Sequence, residues 1–275
     1  MQAWRWIESG PDDGATQMAV DRAVLECALK SGRPTFRVYR WKPFCISLGY
    51  HQSAEAIDFD ACRRDRIDVV RRPTGGRAVF HAEEVTYAAV IPEGHSFLGR
   101  SVGDAYNMIG KGLAEGIRKL GVPAELQRRS LDMRSHYRTL PSVSCFSAAA
   151  KHEVVVEGRK LVGSAQRKLS GGLLQHGSIL TGDAHLGLPM YLQGLASEER
   201  TRLRRTMEEK TISMSKYLNR NVRWEETVGA LREGMVEVLD IVFEDGEFSA
   251  EETEQACLYR EKYSLLSNGK VSATG

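Results

Sequence analysis

The chain has 275 residues, 42% hydrophobic and 27% charged, an ordinary globular balance that can bury a substantial core in one large domain or two small ones. A net charge of +2 is too small to argue for nucleic acid, and no stretch approaches the roughly 20 consecutive apolar residues that span a bilayer. The opening MQAWRWIESGPDDG lacks the basic-then-apolar order of a secretory signal, so a cytoplasmic address is the expectation.

Residues 16–30, TQMAVDRAVLECALK, place Met18, Ala19, Arg22, Ala23 and Leu25 at the spacings of an amphipathic helix. TFRVYRW, residues 35–41, sets Phe36, Val38 and Trp41 against basic positions and predicts a strand; FCISLGYHQ at 44–52 predicts another. A helix over 54–67 and an extended DVVRR at 68–72 follow. PTGGRAVFHAEEVTYAAVI, residues 73–91, leaves a Gly-rich turn for β-rich sequence, a hairpin or two paired strands. Residues 101–120 predict a helix with Ser101 or Asp104 as N-cap and Gly121 as stop.

The segment 127–152 has weak periodicity and reads as a loop, after which HEVVVEG, RKLVGSAQRK and LLQHGSIL predict a meander broken at EGRK and SGG. From about residue 183 the pattern turns helical, with NVRWEETVGALREGMVEVLDIVF as one amphipathic helix and EFSAEETEQACLYREKY as a later one. No repeat or linker divides the chain. The expected architecture is therefore a single α+β (α/β) domain over 1–275. A mixed β-sheet core flanked by helices occupies about 16–182, its strands drawn from 35–180, and a helical segment follows over about 183–265.

Five cysteines, Cys27, Cys45, Cys62, Cys145 and Cys257, are scattered without a CxxC pair or zinc spacing, so neither a disulfide framework nor a metal site is indicated. Cys145 stands apart, in the small-residue loop PSVSCFS. A thiol is a few per cent thiolate at pH 7, and a nearby ammonium raises that fraction. Lys160, at the start of the apolar strand LVGSA, is costly there unless its ammonium meets a partner. Such a pair has a coherent logic, with the thiolate taking an acyl group and the lysine stabilising charge and helping to move a proton. Gly163 and Ser164 leave room beside that strand. In RRPTGGRAVFH, Gly75 and Gly76 let a ligand approach the backbone, with Arg71, Arg72 and Arg77 near enough to hold an anion. Taken singly, each motif also fits a plain alternative: a surface turn, a turn lysine, an interior His176 and an inert loop cysteine.

In order, RRPTGGRAVFH, EVTY, EVVVEGRKLVGSAQRK and LLQHGSIL, with MAVDRAVLE and WKPFCISLGYHQ before them, resemble the lipoate–protein ligase, biotin ligase and octanoyltransferase superfamily over roughly residues 16–182. Three details resemble the LipM-type octanoyltransferase branch. Arg77 stands where ligases carry a third glycine, Cys145 occupies the acyl-thioester position, and the chain ends without the further domain of many ligases. The resemblance implies the ligase catalytic-domain fold, with octanoyl delivered on acyl carrier protein to Cys145 and passed to a lysine of a lipoyl domain of a 2-oxoacid dehydrogenase or of the glycine cleavage H protein. It implies no cofactor and no ATP, because the thioester already holds the activation. Lys160 matches the active-site lysine; Arg72, Gly75, Gly76 and His81 match the acyl-pocket motif; Gln166 and His176 match neighbouring motifs. The pattern departs after His81, where Ala82 and Glu83 replace a common aspartate and Glu83 or Glu84 stands as substitute or as solvated charge. Competing expectations are an ATP-dependent lipoate ligase, an amidotransferase between lipoyl proteins, and a non-catalytic lipoate- or biotin-binding module.

Overall fold

The structure, a computed structural model, describes residues 2–98, 101–127, 153–169 and 172–266. In chain order its elements are β1 (Gln2–Asp12), α1 (Gly14–Ser31), β2 (Thr35–Trp41), β3 (Cys45–Leu48), α2 (Phe59–Arg64), β4 (Asp68–Arg71), β5 (Val79–His81), β6 (Glu84–Pro92) and α3 (Val102–Lys119). There follow β7 (Glu125–Leu126), β8 (Val154–Val156), β9 (Arg159–Leu169), β10 (Gly172–Leu180), a 3₁₀ helix (Ala184–Tyr191), α4 (Ser197–Lys210), α5 (Met214–Leu218), α6 (Trp224–Leu239), β11 (Ile241–Asp245) and α7 (Ala250–Tyr263). Eight strands form the main sheet in the order β11-β1-β2-β6-β10-β9-β8-β7, and three form a second sheet, β4-β3-β5. β1 runs parallel to both neighbours, whereas β2, β6, β10, β9, β8 and β7 pair antiparallel. This is the mixed α/β architecture expected, with the β8–β9–β10 meander where the sequence places it.

Two strand assignments differ from expectation. β5 and β6 are not a hairpin: β5 pairs with β3 in the small sheet, whereas β6 lies between β2 and β10 in the main one. The Ala82-Glu83 link lacks the Gly or Asn that a two-residue hairpin turn requires. All nine residues of β6 are buried, as befits a central strand covered on both faces. The main sheet also reaches beyond residues 35–180. Trp4 and Trp6 pack inward from β1, and Asp240, in the left-handed region at φ 52°, ends α6 so that Ile241 and Phe243 continue as β11. The β-branched and aromatic run Ile-Val-Phe is better suited to an edge strand than to the last turn of a helix. Arg37, set on the basic side of β2 by the alternation, is buried and bonded to Asp21 and Gln17 of α1.

The helices cover both faces of the main sheet. α3 and α6 pack together over the core built on Trp6, Phe36, Val85 and Leu173. α1 lies against the other face beside Tyr39, Val90 and Leu174, and α7 packs over α1. Ser101 and Asp104 form the capping box of α3; Asp13 caps α1, its carboxylate accepting from the Thr16 amide at 2.9 Å. Among the described residues no helix is long and apolar enough to cross a membrane.

Candidate active site

Between the small sheet and strands β6, β9 and β10 lies a narrow, mostly apolar cleft, partly open to solvent. Small residues make it possible. Gly163 and Ala165 on β9 and Gly177 on β10 remove side chains where neighbouring strands carry bulk, and a Cβ at Gly177 would stand 2.6 Å from the Gly163 carbonyl oxygen. Six of the residues singled out from sequence line this cleft: Arg72, His81, Lys160, Gly163, Ser164 and His176. Gly75, Gly76 and Gln166 do not line it. Cys145 lies outside the described residues.

Lys160 is 6% exposed, and its ammonium forms an ion pair with the equally buried Glu153. The two meet because β8 and β9 run antiparallel with a register shift at Val154/Val155, which brings Glu153 back beside Lys160. A lysine in a mostly apolar cleft is tolerable only on these terms. Glu153 is also the first described residue after the Cys145 segment, and its carbonyl accepts from the amide of Gln127 at 2.8 Å. Gln127 and Glu153, both described, therefore meet next to Lys160.

Both histidines sit in hydroxyl–imidazole–carboxylate chains. His81 places Nε2 2.7 Å from Ser47 Oγ and Nδ1 2.8 Å from Glu84 Oε1, with its ring stacked 4.2 Å from that of Trp41. His176 places Nε2 2.6 Å from Thr74 Oγ1 and Nδ1 3.0 Å from Asp21 Oδ2. Burial works to raise the Glu84 carboxyl, but His81 and hydrogen bonds from His81, Ser178 and Thr86 outweigh it and hold the group below the usual carboxylate range. Glu84 is thus the buried carboxylate partner of His81. Glu83 is exposed and accepts from the Ala184 amide. Burial pushes His176 down, aided by Arg72 and His81 and opposed by Asp21.

That shift has a sign. Below the ordinary histidine value of about 6.5 the unfolded chain binds a proton that folded His176 resists, so stability rises with pH through this window. The contribution is complete above about pH 6.5 and is lost progressively below it. Denaturant unfolding at a series of pH values is expected to show this slope, flattened by His176→Gln; an unaltered slope in that variant would contradict it.

The Gly-Gly loop frames the cleft more than it fills it. Arg72 donates to the carbonyls of Ser47, Gly75 and Arg77 and to Ser47 Oγ, at 2.8–3.1 Å. Arg71 donates to the carbonyls of Gly49, Tyr50 and Gln52. These two guanidiniums, read from sequence as anion holders, brace the loop on which they sit. Gly76 takes a left-handed φ of 99°, which suits glycine and places its carbonyl against Gly49. Among the described residues no group of three or more His, Cys, Asp or Glu side chains could hold a metal ion.

Of the polar partners, Asp21, Ser47 and Glu153 were not picked out from sequence, and Glu84 stood only as one of two alternatives. Asp21, Ser47, Glu84 and Glu153 are all buried, yet each lies in an unremarkable helical or strand pattern. A signal was present in two of them: Asp21 falls four residues after Gln17 on the buried side of α1, and Ser47 interrupts the apolar run FCISL.

A buried lysine thus lines a narrow, mostly apolar cleft on a mixed sheet flanked by helices. The match to the lipoyl protein ligase A/B catalytic domain over residues 13–236 places the chain in that family, to which it belongs. Similar proteins include octanoyltransferase LipM of Kyrpidia tusciae, 42% identical over 96% of this chain and 97% of that one, and octanoyltransferase LipM of Bacillus subtilis, 36% identical over 91% of each. Solved structures of the same fold include lipoate-protein ligase A bound with ATP, with TM-score 0.74 at 21% identity over 95% of each chain. The bipartite lipoate protein ligase of Thermoplasma acidophilum matches with TM-score 0.78 at 20% identity, over 98% of this chain and 95% of that one.

Proposed function

We propose that the chain is an octanoyltransferase of protein lipoylation that carries its acyl group on Cys145. Near-full-length similarity to octanoyltransferases supports the activity. The observation that carries the site assignment is the buried pair of Lys160, on the cleft wall, with Glu153, the first described residue after the segment that holds Cys145. The other described cysteines are poorer candidates. Burial raises the thiols of Cys27, Cys45 and Cys62, the last to about 12, and Cys257 lies on α7, which packs over α1.

In the first half-reaction the Cys145 sulfur attacks the thioester carbonyl of octanoyl-acyl carrier protein, a C–S bond forms, and the carrier thiol leaves. In the second, the lysine amine of a lipoyl domain or of the glycine cleavage H protein attacks the acyl-enzyme, an amide forms and the Cys145 thiol is restored. The Lys160 ammonium stabilises negative charge on the attacking sulfur and on the tetrahedral oxygen. No ATP enters, because both steps exchange one activated acyl bond for a bond of equal or lower energy. The reaction belongs in the cytoplasm, where carrier protein and acceptor meet.

Mixing the enzyme with octanoyl-acyl carrier protein in the absence of ATP, followed by intact mass, is expected to show one hydroxylamine-labile octanoyl group on the wild type and none on Cys145→Ser. A wild type that acquires octanoyl only when octanoate and ATP are supplied would mark it as a ligase instead. A labile adduct that persists in Cys145→Ser would move the acyl carrier to another residue.

A further inference from the structure

β9 loses one neighbour just where its lysine stands. Its pairing with β10 ends at Val162, opposite Ile179, so on that side no strand of the sheet reaches Lys160. β8 covers the other side, with Val155 opposite Lys160. The open side is taken by a segment far along the chain. Thr211 pairs with Lys160 in a single parallel bridge, and the Ile212 amide donates to the Lys160 carbonyl at 3.0 Å. α4 ends at Thr211, whose backbone is extended at φ −120° and ψ 160°, and α5 begins at Met214 with Ser213 as its N-cap. The residues between the two helices thus serve as a short strand that continues the sheet past the end of β10.

That segment is itself fixed at several points. The Ser215 amide donates to the Thr181 carbonyl at 3.0 Å, just beyond β10, and Ile212 and Met214 are buried in the main core. The Thr211 amide donates to the Met207 carbonyl at 2.9 Å. Thr211 Oγ1 lies 2.8 Å from the same carbonyl oxygen and 2.8 Å from His185 Nε2. His185, in the 3₁₀ helix that follows β10, places Nδ1 3.3 Å from the Gly182 carbonyl oxygen. Both side chains belong to residues only 2% exposed. A buried hydroxyl and a buried imidazole need partners. These two meet each other, and Thr211 meets the strand that carries the lysine.

We infer that His185 and Thr211 are positioning residues for Lys160: they brace the Thr211–Ser213 segment against β9, and the segment fixes the backbone from which the lysine reaches the cleft. The assignment rests on the role given to Lys160 above. Lysine carries its ammonium on a flexible four-carbon stem, so the charge is placed well only when both ends of the stem are held. Glu153 holds the charged end by its ion pair. The Thr211 bridge and the Ile212 amide hold the backbone end. Neither His185 nor Thr211 lines the cleft, so each acts on the reaction through Lys160. The part of the chain after residue 183, from which no site residue was singled out by sequence, thereby sets the geometry of the lysine.

The test asks whether the brace matters once the lysine is gone. Thr211→Val removes a hydroxyl and keeps the shape, Thr211→Ser keeps the hydroxyl, and His185→Leu removes the imidazole. Each is made in the wild type and in Lys160→Met/Glu153→Gln, and kcat and KM for octanoyl transfer to an apo lipoyl domain are read beside denaturant unfolding. In the wild-type background Thr211→Val and His185→Leu are expected to lower kcat by about tenfold and to change KM by less than about threefold, since a misplacement near 1 Å can cost up to about 10²-fold. Thr211→Ser is expected to stay close to wild type. In the lysine-free background the same changes are expected to lower transfer by less than about twofold, because residues that act through one group are not additive with its loss, while the unfolding midpoint still shifts. Equal fold-losses in both backgrounds would reduce the brace to packing and overturn the inference. A folded Thr211→Val enzyme with wild-type kcat, or a lysine-free enzyme as active as wild type, would overturn it too. Should His185→Leu unfold the chain, Thr211→Val and Thr211→Ser decide the matter by themselves. Every rate is taken with octanoyl-acyl carrier protein alone and with octanoate plus ATP. Turnover with the second donor only would overturn the transferase reading, while the comparison of backgrounds would judge the brace as before.

Discussion

Lys160→Met is expected to lower octanoyl transfer by about 10²–10³-fold and to destabilise the chain by about 3–5 kcal/mol at once. Both effects come from one geometry. The ammonium is a fixed positive charge on the wall of a narrow, mostly apolar cleft, where a cation does most for a developing oxyanion or thiolate. Its removal also strands the Glu153 carboxylate, itself 3% exposed, with its principal countercharge gone. A buried charge left in that state costs more than the intact pair contributes. The two effects separate in a double variant. Lys160→Met/Glu153→Gln removes both charges of the pair and is expected to regain most of the lost stability, because replacing a buried pair outright is often nearly neutral. It is expected to regain none of the activity. Denaturant unfolding read beside the rate of acyl transfer checks both. A double variant as unstable as the single one would remove the ion pair as the cause, and one that recovered activity would remove the lysine from the chemistry.

How much of this site could be read from the sequence depends on how local the signal is. The β9–β10 meander and the α3 cap were legible because period-2 alternation and an N-terminal Ser-x-x-Asp pattern are carried by adjacent residues. The placement of β5 and β6 in different sheets was not. Val79–His81 and Glu84–Pro92 each read correctly as strands, but their partners β3 and β10 lie far along the chain, and neighbouring strands pair by default. β11 escaped for a similar reason: Ile-Val-Phe continues the helical hydrophobicity of α6, and only Asp240 in the left-handed region breaks it.

Within the site, His81, Lys160 and His176 stood out as residue types that carry chemistry, and the cleft gathers them. The residues that set their states did not stand out. Glu84 follows Glu83, and nothing local tells which of two adjacent glutamates is buried; the answer is the strand alternation that puts Glu84, with Thr86, on the same face as Ser178 of β10. Arg72 shows the reverse error. An arginine beside a Gly-Gly turn suggests an anion site, yet Arg72 donates to the turn's own carbonyls and to Ser47 of β3, a pattern that only the fold of the loop reveals.

Gly49→Ala, a one-carbon change at a residue outside the cleft lining, is expected to cost about 1–3 kcal/mol in stability and a disproportionate share of activity. A Cβ at Gly49 would stand 2.0 Å from the Gly76 carbonyl oxygen and 2.7 Å from its carbon, so backbone must move. The loop cannot yield freely. Arg72 holds Gly75 and Arg77, Thr74 is bonded to His176, Arg167 donates to the Pro73 carbonyl at 2.9 Å, and Tyr50 donates to the Thr74 carbonyl at 2.8 Å. Displacing the loop pulls Thr74 from His176 and Arg72 from Ser47, and with them the wall that faces Lys160. Thermal unfolding is expected to shift by about 2–4 °C for each kcal/mol lost, while acyl transfer falls by an order of magnitude or more. Gly75→Ala provides the contrast from the same motif. A Cβ there meets nothing within 4 Å and the residue is not in the left-handed region, so its stability is expected to stay within about 0.5 kcal/mol of wild type. Open space beside Gly75 is also what a bound acyl carrier or acceptor would fill. A Gly75→Ala enzyme that unfolds like wild type but transfers more slowly would therefore place substrate against that glycine, whereas one that loses stability as Gly49→Ala does would show the whole turn to be packing.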